Sequence, residues 1–89
     1  MIIHRYELTV GDNVLEVPDS AEPVCLAARD GDPPECVQLW VCVSERWEKE
    51  PKKHARYFVA ATGESVTGRY LGTALVLGGR LVWHVFEQG

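Results

Sequence analysis

Eighty-nine residues, 46% hydrophobic and 25% charged, describe one globular domain over 1–89 with a small core rather than a disordered chain. The net charge of −4 argues against general nucleic-acid binding. Charge is uneven: residues 1–35 carry eight acids and two bases, residues 36–89 five acids and seven bases, so an anion site must come from the second half.

Ile2 to Val10 alternates apolar and polar residues and predicts a half-buried strand. Gly11-Asp12-Asn13 reads as a turn, and Val14 to Val17 as a returning strand ended by Pro18-Asp19. Val24 to Ala28 is a short strand between Glu22-Pro23 and the rigid acidic loop Asp30-Gly31-Asp32-Pro33-Pro34. Glu35 to Ser44 is a strong strand, with Val37, Leu39, Val41 and Val43 on one face and Gln38, Trp40, Cys42 and Ser44 on the other.

Glu45 to Lys53 reads as a long polar connection, with Trp47 either a partner contact or a flap over its own sheet. Ala55 to Ala61 is the next strand, and Thr62 to Ser65 turns the chain, with one helical turn over Glu64 to Thr67. The C-terminal run Arg69 to Glu87 is a hairpin with Gly78-Gly79 as a two-residue type I′ loop, a pair that accepts positive φ at both centres. Its register runs from Leu77 opposite Arg80 to Leu71 opposite Phe86. One face holds Leu71, Thr73, Leu75, Leu77, Val82, His84 and Phe86; the other holds Gly72, Ala74, Val76, Leu81, Trp83 and Val85. Neither face suits water, so one covers the core and the other calls for a second cover, a further copy of the chain. The fold class is all-β: a compact antiparallel sandwich or open barrel of six or seven short strands with a C-terminal hairpin and one short helical turn.

Chemical motifs are sparse. Cys25, Cys36 and Cys42 form no CxxC pair and read as buried thiols of a reducing cytosol. His4, His54 and His84 lack metal-ligand spacing, so neither metal nor cofactor is expected. No nucleophile elbow, P-loop or dinucleotide fingerprint occurs, which points away from an enzyme; a small nucleotide hydrolase is the minority reading. No apolar run is long enough to span a bilayer, and the N-terminus lacks a signal-peptide pattern, which predicts a soluble intracellular protein. Lys52-Lys53-His54 with Arg56 is the one local excess of positive charge, either a phosphate site or a solvated loop. His84, opposite Thr73, is a core histidine bonded to that hydroxyl or a pocket ligand.

The segments Tyr6-Glu7-Leu8, Val37 to Val41, Arg56 to Val59 before Thr62-Gly63, Tyr70 to Ala74, and Gly78 to Glu87 resemble a family of small proteins of tailed bacteriophages, notably those infecting actinobacteria. The GTA…GG-x-LVWH ending is the most specific part, and Glu64 to Arg69 is shorter than in typical members. The resemblance implies expression in the host bacterial cytoplasm and action on the host, with no catalytic residues to carry over. The expectation is a non-enzymatic, homo-oligomeric accessory protein that counters defence by sequestering a small phosphorylated nucleotide signal at subunit boundaries. Arg56, Arg80 and Lys53 would take phosphate, and Trp83, Trp40 or Tyr57 would stack on a base, with His84 as a further ligand. The alternative is an inhibitor that binds a host protein, or a minor virion or assembly protein.

Overall fold

A computed structural model describes all residues, 1–89. Seven strands form two antiparallel sheets: β1 (Ile2–Thr9), β2 (Gly11–Pro18), β3 (Glu22–Ala27), β4 (Cys36–Val43), β5 (Lys52–Ala61), β6 (Arg69–Val76) and β7 (Leu81–Gln88). One sheet has the order β1-β4-β3 and the other β2-β5-β7-β6. The predicted sandwich is therefore present, with the alternating residues of each strand supplying its filling. Leu8, Val37, Leu39, Val41 and Val43 face Val17, Tyr57, Val59, Ala74 and Val85 across the middle.

The Gly11-Asp12-Asn13 turn is not a hairpin. The chain instead passes from one sheet to the other there: β1 ends at Thr9 and β2 starts at Gly11, with φ +96° at that glycine. Asn13 holds the swivel. Its Oδ1 accepts from the Thr9 N–H at 2.9 Å, and its Nδ2 donates to the carbonyls of Thr9 at 2.8 Å and Gly11 at 3.0 Å. The residue types that favour a turn here satisfy the backbone at a change of sheet.

Two further expectations are corrected. Lys52-Lys53-His54 is not loop but the start of β5, paired with Pro18, Val17 and Glu16. The single helical turn lies at Trp47–Lys49 rather than over Glu64 to Thr67. At the latter site Glu64 folds back, its N–H bonded to the Ala61 carbonyl and its carboxylate accepting from the Ala61 N–H. Trp47 is a flap: it packs on the core, meets the His4 ring edge-on at 4.7 Å and lies under the Lys52 ammonium. Ser20, Ser44 and Glu50 tie this connection down, with Glu50 accepting from the Ser20 N–H at 3.0 Å and the Ser44 hydroxyl at 2.5 Å.

In the C-terminal hairpin the predicted register holds from Val76↔Leu81 to Gly72↔Val85. It then shifts by one, because Leu71 bulges and Tyr70, not Leu71, faces Phe86. The loop is longer than two residues. Leu77, Gly78 and Gly79 all take positive φ, and overlapping bonds run from Gly79 N–H to the Val76 carbonyl and from Arg80 N–H to the Leu77 carbonyl. The face with Ala74, Val76 and Val85 is the buried one.

Candidate functional site

Since Ala74 and Val85 point inward, alternation turns Thr73, Leu75, Val82, His84 and Phe86 outward on the four-stranded sheet. Across β5 the same face continues through Ala60, Phe58 and Arg56, and on β2 through Val14. The result is a broad apolar and aromatic surface. Phe58 lies opposite Phe86, which lies opposite Tyr70, and the Tyr70 and Phe86 rings are 5.5 Å apart. Leu75 is 65% exposed, Val14 57% and Tyr70 55%. Solvent-facing sheets of small domains normally carry polar residues at such positions.

His84 sits at the centre of this face, held at both ring nitrogens. Nε2 is 2.8 Å from the Thr62 hydroxyl and Nδ1 is 3.0 Å from the Thr73 hydroxyl. The Thr73 hydroxyl in turn bonds the Tyr70 hydroxyl. A neutral imidazole donates from one nitrogen and accepts at the other, so the Thr62–His84–Thr73–Tyr70 chain can reverse its direction without moving a heavy atom. The expected Thr73 bond is thus present, but on the outer face rather than in the core.

The residues expected to bind ligand do not converge. Arg56 and His84 share the outer face, Arg56 being exposed and free of any ion pair. Arg80 is exposed in the hairpin loop at one end of that sheet. Lys53 is turned away, its ammonium donating to the Ala21 carbonyl at 3.2 Å. Trp83 points between the sheets, where its indole N–H donates to the Pro34 carbonyl at 2.7 Å. Tyr57 is buried in the core, where desolvation, with Glu87 and Glu22 nearby, pushes its hydroxyl pKa up to about 12. Trp40 is on the outer face of the other sheet, opposite Arg5 and Cys25.

Phe58, Phe86, Tyr70 and Thr62 are the members that sequence reasoning left out. Phe58 and Phe86 were legible from alternation along their strands. Tyr70 was not, because the bulge at Leu71 reverses its facing. The one cleft within the chain is a small apolar space of about 50 Å³ between Leu26 and Leu71, lined also by Pro23, Val24, Cys25 and Leu39. It holds no titratable group other than the Cys25 thiol. No group of three or more His, Cys, Asp or Glu side chains is placed to hold a metal ion.

On the three-stranded sheet, Gln38 is buried and its amide donates to Glu7 and Asp32, both at 3.1 Å. Bonding from Arg29 holds the Asp32 carboxyl below its usual range, while burial, with Glu7 and Glu35 nearby, pushes the Cys36 thiol up. Cys36 is therefore a protonated, enclosed thiol rather than a nucleophile.

Residues 1–89 match a protein family described as Domain of unknown function (DUF7352). The chain belongs to that family. The match spans every strand of both sheets, so the outward-facing surface described above belongs to the DUF7352 domain itself. No curated protein matches the chain. No solved structure matches it. No helix of the DUF7352 domain is long and apolar enough to cross a membrane.

Proposed function

We propose that this DUF7352 protein is a non-enzymatic accessory protein of a tailed bacteriophage, acting in the host bacterial cytoplasm against a defence system. It works as a homo-oligomer through the outer face of its four-stranded sheet and sequesters a small phosphorylated nucleotide signal at the boundary between copies. The phage origin follows from the resemblance of the Tyr70 to Ala74 and Gly78 to Glu87 segments.

The observation that carries the assembly is the outer face: Phe58, Phe86, Tyr70, Leu75 and Val14 together leave an apolar surface that a single copy does not cover. The placement of the ligand between copies rests on size. Pockets for small molecules run to about 300 Å³ and upward, whereas the cleft inside one chain is about 50 Å³ and lacks a cation. At a boundary built on the outer face, the unpaired Arg56 guanidinium supplies a phosphate contact. Tyr70 and Phe86 supply stacking surface, and the hydroxyls around His84 accept or donate as a base edge requires.

The test is thermal stability against a panel of cyclic dinucleotides and ADP-ribose derivatives. A ligand present at a hundred times its Kd stabilises by about 2.7 kcal/mol, which raises Tm by roughly 10–20 °C in a domain of this size. The rise is lost in Arg56→Ala. An unchanged Tm across the panel would count against the nucleotide reading.

A further inference from the structure

A sheet exposes unpaired backbone groups along its edge strands, and proteins blunt those edges with Pro, bulges, charged side chains or a covering element. Three of the four edges here carry a Pro, a bulge or a covering element. β2 carries Asp12 and Glu16 and ends in Pro18. β3 contains Pro23 and a bulge between Pro23 and Cys25. β6 has the bulge at Leu71 and lies against β3, where Gly72 meets Leu26. β1 has no Pro, bulge or covering strand, and its two charges, Arg5 and Glu7, are of opposite sign. It runs eight residues in unbroken register with β4 and has no strand on its other side.

The direction of its free groups can be read off. The Val10 N–H donates to the Glu35 carbonyl in the register of the β1–β4 ladder, so the even-numbered residues turn their backbone toward β4. Thr9 gives both its N–H and its carbonyl to Asn13 instead. By alternation Ile3, Arg5 and Glu7 also face away from β4, and no side chain takes their backbone groups as Asn13 takes those of Thr9. Asn13 closes one end of the edge and leaves these three open.

We propose that β1 pairs antiparallel with β1 of a second copy, about a two-fold axis at Tyr6, joining the two three-stranded sheets into one of six strands. Charge selects that register. Open residues must face open residues, so the axis falls at Arg5, at Tyr6, at Glu7 or nearer Ile3. An axis at Arg5 sets Arg5 against Arg5, and an axis at Glu7 sets Glu7 against Glu7. Only an axis at Tyr6 sets Arg5 opposite Glu7 of the partner subunit on both sides, with four backbone bonds exchanged. Arg5 and Glu7 are both exposed on the outer face of the sheet, where directly opposed unlike charges stabilise and like charges repel. The pairing is isologous, so it closes on itself. It stands on the edge alone and does not depend on the nucleotide reading or on the face of the four-stranded sheet.

The test is a charge-reversal cycle on the full chain, read as self-association by sedimentation equilibrium, with circular dichroism to establish folding. Arg5→Glu and Glu7→Arg each set two pairs of like charges across the axis and weaken association by about tenfold or more. The double variant Arg5→Glu/Glu7→Arg restores unlike pairs and returns association to within about threefold of the natural chain. Hydrogen exchange supplies the second readout: the Arg5 and Glu7 amides become protected with rising protein concentration, and the Ile3 amide less so. A chain that stays single at about 100 μM, or one whose association is indifferent to both reversals, overturns the proposal. So does a double variant no better than the singles.

Discussion

Gly72 and Leu26 meet where the two sheets close on one another: a Cβ at position 72 would stand 3.2 Å from Leu26 Cδ2. The contact brings β6 of one sheet against β3 of the other, and it depends on the missing side chain. Ala at 72 asks Leu26 to give by a few tenths of an ångström, whereas Val drives a branched side chain into it. Gly72→Val is therefore expected to cost about 1–3 kcal/mol in urea unfolding, and Gly72→Ala less. Equal midpoints for all three chains would show that the seam is loose.

Glu50 gives the fold an acid sensitivity. Bonding from Ser20, and then from the Ser44 hydroxyl, holds its carboxyl below the ordinary value of 4.5. The folded state thus binds this proton less readily than the unfolded one. Its stabilisation is complete above about pH 4.5 and is lost as pH falls through the lower folded value. Asp32, lowered by Arg29, acts in the same direction from 3.8. Tm measured as pH is lowered should fall less steeply in Glu50→Gln than in the natural chain, from a lower Tm at neutral pH. Parallel curves would contradict the role given to the Ser20–Ser44–Glu50 tie.

Tyr57 acts at the other end of the pH scale. Burial, followed by Glu87 and Glu22, raises its hydroxyl from 10.0 to about 12. The folded chain holds the proton more tightly than the unfolded chain, so stability is unaffected below pH 10 and falls as pH rises toward about 12. Tyr57→Phe should leave neutral stability within about 1 kcal/mol and blunt the alkaline loss. Part of the loss persists, because Tyr6 and Cys36 are raised by burial as well. An alkaline profile identical in Tyr57→Phe would mean that its hydroxyl reaches water.

Much of this architecture was legible in the residues. Alternation along β4 separated Val37, Leu39, Val41 and Val43 from Gln38, Trp40 and Cys42, and the first set lines the core between the sheets, although Gln38 on the other face is buried as well. Centring the hairpin on Gly78-Gly79 gave the register that the sheet adopts from Val76↔Leu81 to Gly72↔Val85, and the small-by-large pairs Ala74 with Trp83 and Gly72 with Val85 agree with it. The failures share a cause, since local patterns do not say which distant element lies alongside. Gly11 and Asn13 carry turn chemistry but use it to change sheets, which depends on β4 and β5 waiting on either side. The bulge at Leu71 turns that side chain toward Leu26 and frees Tyr70 for Phe86, a choice made by β3. Of the expected site, Arg56 and His84 share a face, while Tyr57 and Trp83 went inside because large aromatics fill cores as readily as they stack on ligands.

The measurement that bears most directly on the account is absolute mass by light scattering over a concentration series, for the natural chain and for Leu75→Lys. Leu75 is exposed, so the substitution leaves a single copy folded, with stability changed by no more than about 0.5 kcal/mol. The account predicts a mass above that of one 10.0 kDa chain, and a lower mass in Leu75→Lys at the same concentration. A mass of one chain at every concentration, or a mass that Leu75→Lys leaves untouched, would contradict the claim that the outer face of the four-stranded sheet is where copies meet.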